Sequence, residues 1–100
     1  MDNKLSQEQV NNQINLLKEL MEKSADPTVN VYIVMALRQL VKVLVLNEHH
    51  RFKVWRVNKA IECLCVVMRL MHCTKELKSE LFVITCQLKN SCSLAIVDGG

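Results

Sequence analysis

Residues 47–65, NEHHRFKVWRVNKAIECLC, gather two histidines, four cations, two aromatic rings and two cysteines into nineteen positions. Such a set could bind a metal, grip a nucleic acid, or turn the corner between two helices. The metal donors are His49, His50, Cys63 and Cys65, with His72 and Cys73 just beyond. Zinc needs four ligands converging on a tetrahedron, commonly from C-x2-C or H-x3–5-H spacings. Cys63 and Cys65 are two apart, and two residues of a helix turn through about 200°, so both cannot reach one ion. The expectation is no metal and no cofactor.

The nucleic-acid reading rests on Arg51, Lys53, Arg56 and Lys59 interleaved with Phe52 and Trp55. Cations neutralise phosphates, and an exposed ring stacks on a base. An aromatic near a helix start with Val54 and Val57 beside it, however, more often packs into a core. Contact with a nucleic acid or an acidic partner through Arg51, Lys53, Trp55, Arg56 and Lys59 is therefore the alternative expectation. Catalysis has less to stand on. The chain offers no glycine-rich loop for phosphate and no activated nucleophile beside a base, so a non-enzyme is expected.

The elements that must position these residues follow from hydrophobic spacing. Ser6 and Gln9 stand in capping-box spacing ahead of Val10, Ile14, Leu17 and Met21, which recur at helical steps. Asp26 and Pro27 stop that helix and start another, as N-cap and first-turn residue. Residues 29–46 are then apolar at fourteen of eighteen positions. Arg38, Gln39 and Lys42 interrupt that run, and a cation at a bilayer centre costs roughly 2.5–3.5 kcal/mol, so a buried helix rather than a membrane span is expected. Val54, Val57, Ile61, Leu64, Met68 and Met71 mark a third amphipathic helix. Thr74 caps a fourth, with Leu77, Leu81, Ile84 and Leu88 on its inner face.

The predicted fold is all-α, a compact bundle of about four helices near 6–23, 27–47, 51–73 and 75–93, with the second and third at its centre. The alternative is α+β, with hairpins near 42–57 and 81–97, because both segments are rich in valine and isoleucine. Neither hairpin has a glycine at its turn. Two glycines and one proline in 100 residues favour few, long elements. Residues 1–97 read as one helical interaction domain and 98–100 as a disordered tail.

Charge is uneven along the chain. Residues 1–26 carry three lysines against five acids, whereas residues 27–74 carry seven cations against two. The five cysteines, Cys63, Cys65, Cys73, Cys86 and Cys92, follow a polar start without a secretory pattern. They read as reduced, packed thiols in the cytoplasm or nucleus. Half of the residues are hydrophobic, more than a small bundle readily hides. The excess points to a protein–protein interaction module, homo-oligomeric or scaffolding, with another copy or another helical protein as partner. Met35, Leu40, Leu44, Val67 and Met71 are the expected contact residues, on the faces of the second and third helices.

Overall fold

The computed structural model describes residues 6–70 and 73–99, and side chains only as far as Ser91. Four helices make up the fold: α1 (Gln7–Lys23), α2 (Pro27–Val45), α3 (His50–Arg69) and α4 (Lys75–Gly99). Their starts follow local chemistry. The Ser6 hydroxyl accepts from the Gln9 N–H at 3.2 Å, and the Asp26 carboxylate accepts from Thr28 at 2.9 Å and Val29 at 3.4 Å. Each satisfies backbone donors that a helix cannot satisfy itself. Pro27 occupies the first turn of α2, where its missing N–H costs nothing. Thr74 Oγ1 accepts from the Leu77 N–H at 3.1 Å, as its position before the fourth hydrophobic run implies.

Each helix buries one face at three- and four-residue steps. These are Val10, Ile14, Leu17 and Leu20 on α1, Val29, Ile33, Ala36, Leu37, Leu40 and Val43 on α2, Val57, Ala60, Ile61, Leu64 and Val67 on α3, and Leu81, Ile84 and Leu88 on α4. With Cys73 they form one hydrophobic core. No strand occurs among the described residues, which overturns the α+β alternative. Residues 42–57 hold the end of α2, a turn and the start of α3, while 81–97 lie inside α4. The β-branched residues there take the helical state because burying Val43, Val57 and Ile84 on helix faces outweighs their modest intrinsic preference.

Three helix ends differ from the expected ones. α2 stops at Val45 and α3 at Arg69, because Leu46 and Leu70 turn into extended backbone as C-caps. α4 in turn continues past 93 to Gly99.

α2 packs on α1 and α3, α3 on α4, and α4 back on α1, while among the described residues the diagonal pairs have no close backbone approach. The bundle is thus a four-membered ring. α2 and α3 share the broadest seam, although every helix has two neighbours. Gln13 bonds to Gln87 and Gln9 to Ser91, so numbers fall along α1 as they rise along α4 and the two run antiparallel. That α1–α4 seam is polar at its middle. The Gln13 Nε2 donates to Gln87 Oε1, and the Ser91 hydroxyl bonds to Gln9 Oε1 at 2.8 Å and to the Gln87 carbonyl at 3.2 Å. Gln13, Thr85 and Ser91 are the buried polar side chains among the described residues.

Candidate interaction surfaces

The turn between α2 and α3 organises the residues singled out above. His49 is the N-cap of α3, its Nδ1 accepting from the Arg51 N–H at 3.2 Å. Its ring stands 4.7 Å from that of His50, tilted by 32°. The adjacent histidines therefore start a helix. Among the described residues, no three of the His, Cys, Asp and Glu side chains gather closely enough to hold a metal ion. His72 lies outside the described residues, as does the side chain of Cys92.

Arg56 fastens the same turn. Its guanidinium reaches Glu48 through two bonds of 2.5 and 3.0 Å and donates a third, at 3.0 Å, to Gln39 Oε1 on α2. The hydrogen bond from Arg56 is the main reason the Glu48 carboxyl lies below its ordinary pKa. Desolvation opposes the shift, and the charges of Arg56, Lys42 and Lys53 add to it. Glu48 raises Arg56 in return. A bidentate, partly buried pair of this kind joins turn, α2 and α3 in one network. Lys59 pairs with Glu62 at 3.2 Å on the outer face of α3. Of the cations proposed to face phosphate, Arg56 and Lys59 are thus engaged within the chain, whereas Arg51 and Lys53 stand in no ion pair among the described residues.

The rings beside these cations are not in the core. Phe52 is 59% exposed and Trp55 50%, contrary to the packing expected of them. Lys59 Nζ and Arg56 Cζ lie 5.6 and 6.0 Å from the Trp55 ring centre. Sequence spacing carried the signal: positions 52, 55, 59 and 62 share a helix face opposite Val57 and Leu64. Reading Trp55 with Lys59 and Glu62, rather than with Val54, would have placed it outside. Phe52 and Trp55 with His49, His50 and Arg51 line a shallow hollow at this corner.

The residues expected to meet a partner separate into two groups. Leu40 and Val67 are fully buried, because their helical phase matches that of Ile33 and Leu64, so they belong to the core and not to an outer face. Leu44 packs partly against that core. Met35 is 44% exposed, and Met71 lies outside the described residues. The outer face of α2 nonetheless exposes, around Arg38 and Lys42, the expected Met35 and also Val31, Val41 and Val45, which sequence reasoning passed over in favour of their buried neighbours. α2 is also long and apolar enough to cross a membrane by length and composition alone, and it directs six residues into the core shared with the other helices.

A second apolar feature lies across the ring. Leu16 and Leu20 of α1 and Val83 and Ile84 of α4 line a groove of ≈ 290 Å³, with Glu19, Lys23, Ser79 and Glu80 at its edges. Elsewhere on α4, Phe82 is 61% exposed. Of the thiols, Cys73 is buried and Cys63, Cys65 and Cys86 are partly buried, all unpaired. Desolvation raises the pKa of both Cys63 and Cys73, with Glu62 adding to the first while Lys59 opposes it, and Lys78 opposing the second. These thiols resist ionisation and are poor nucleophiles. Compared with protein-family models, with curated proteins and with solved structures, the chain matches none of them.

Proposed function

We propose that this chain is a non-enzymatic protein–protein interaction module, homo-oligomerising or scaffolding, that covers the outer face of α2 with another copy or another helical protein. The observation carrying this reading is that Val31, Met35, Val41 and Val45 stand exposed on the solvent side of a helix, around the charged Arg38 and Lys42, while its other side already fills the core. Large apolar side chains exposed together on one face of a small domain are a mark of association sites. Unpaired Cys63, Cys65, Cys73 and Cys86 support a reducing compartment, cytoplasm or nucleus. Light scattering on a sizing column in reducing buffer tests the self-association form. Wild type should run above its 11.5 kDa chain mass, and the triple variant Val31→Glu, Met35→Gln, Val45→Glu should run lighter than wild type at the same concentration. A variant that keeps both its helicity and the wild-type mass would remove α2 from the interface.

A second reading, nucleic-acid binding, draws support from the exposed Phe52 and Trp55 beside Arg51 and Lys53. It loses support from the pairing of Arg56 and Lys59 within the chain. Its test is anisotropy of a labelled single-stranded oligonucleotide at several salt concentrations. Binding that falls steeply with salt, and falls again in Arg51→Ala, Lys53→Ala, would favour it; no binding at low salt would dispose of it.

A further inference from the structure

We propose that copies of this chain also join head to tail, the Phe52 and Trp55 corner of one copy seating in the α1–α4 groove of the next. Three observations converge on this contact. Phe52 and Trp55 project two large rings from the start of α3, more than half of each water-exposed or nearly so. The groove lined by Leu16, Leu20, Val83 and Ile84 holds ≈ 290 Å³, ample for one ring, since apolar cavities of about 150 Å³ accommodate benzene. Charge is complementary: Arg51 and Lys53 flank the rings, while Glu19 and Glu80 outnumber Lys23 at the groove. The acidic amino-terminal region and the basic middle of the sequence thereby gain a reason to face each other between copies.

The ring topology makes the contact directional. The corner lies where α2 ends and α3 begins; the groove lies toward the opposite end, where α1 ends and α4 begins. The α2–α3 and α1–α4 walls are also opposite sides of the ring. One copy cannot fill its own groove, and a two-fold pair cannot make both contacts at once. Each contact leaves a corner and a groove open, so assembly continues into an open chain or closes as a ring. This contact is independent of the proposed α2 face, and its test is arranged accordingly.

All proteins carry the α2 triple variant described above, which silences that face. One adds Phe52→Ser and Trp55→Ser, keeping only the groove; the other adds Leu16→Ser and Val83→Lys, keeping only the corner. All four added positions are exposed, and circular dichroism confirms folding before mixing. In the parent, average mass should rise with concentration and fall with salt. Each added variant alone should be monomeric, and an equimolar mixture should double in mass as one corner meets one groove. A mixture that stays monomeric at ~0.5 mM in low salt, or a parent whose mass is unmoved by either pair of substitutions, overturns the head-to-tail contact and leaves the α2 reading standing. Oligonucleotide binding that needs Phe52 and Trp55 while the mixture stays monomeric assigns the corner to nucleic acid and likewise overturns it.

Discussion

Arg56 sits inside the densest run of cations in the chain, yet its charge is committed to Glu48 and Gln39. Counting residue types finds the cluster; only the fold shows that one of its members is a fastener, because the acid that claims it is eight positions away across a turn. The pair has a pH signature. A carboxyl whose folded pKa is depressed contributes stability above its unfolded value and loses it as pH falls through the folded value. Glu48→Gln should therefore lower the urea midpoint at neutral pH, and the two curves should merge in acid once wild-type Glu48 is protonated in the folded state. A gap that persists at pH 2 would mean that packing, and not the charge, holds the turn. The raised thiols work in the opposite sense: the unfolded chain ionises first, so stability declines as pH climbs above the ordinary thiol range. Alkylation mapped by mass spectrometry should find Cys73 slowest among Cys63, Cys65, Cys73 and Cys86, since it alone of these four is buried. Equal rates would place Cys73 at the surface.

At the scale of the element, most helix starts were legible. Ser6, Asp26 with Pro27, and Thr74 are side chains whose short oxygens reach backbone donors, and each caps as its position implies. Asp26→Ala should cost about 1 kcal/mol, read as a lower urea midpoint with an unchanged slope. No change would mean that Pro27 starts α2 by itself. The start of α3 was legible to within one residue but its cap was not, because an imidazole is outside the favoured set of caps. The inner face of α2 followed from its spacing. Its outer face did not, since a helix apolar nearly all round has no internal contrast by which to tell the side that packs from the side that does not. For that reason Leu40 was expected at a partner surface, and Val31 and Val45 were overlooked.

For the whole molecule, helix number and class followed from periodicity alone, whereas the closure of the ring left no local pattern to read. Gln13 and Gln87 are 74 positions apart. Leu40→Ala should cost about 2–5 kcal/mol, a large part of the 5–15 kcal/mol typical of a domain, and Leu40→Glu should prevent folding altogether. A folded Leu40→Glu chain in thermal melts would displace Leu40 from the core. The α1–α4 seam behaves differently. Gln13 Oε1 and Thr85 Oγ1 are buried without a hydrogen-bond partner in the protein. Exchanging both members of a polar pair for apolar ones can stabilise a fold. Gln13→Leu with Gln87→Leu should raise the melting temperature by several degrees, about 4–8 °C per kcal/mol in a domain of this size. A lower melting temperature would show that the amide pair stabilises the seam more than leucines can.

The same seam also sets an order of events in time. Three of the four contacts around the ring join helices that follow one another along the chain, and they can form as soon as each short turn does. The fourth must bring the two ends of the polypeptide together, and the entropy of closing so long a loop is recovered only when it docks. Collapse should accordingly be fast, with α1 meeting α4 last. Those ends should then part first under native conditions: in hydrogen exchange, amides in the first half of α1 should open with a smaller free energy than those of Leu40 and Leu64, and the bundle should breathe along its polar edge while its other three seams stay shut.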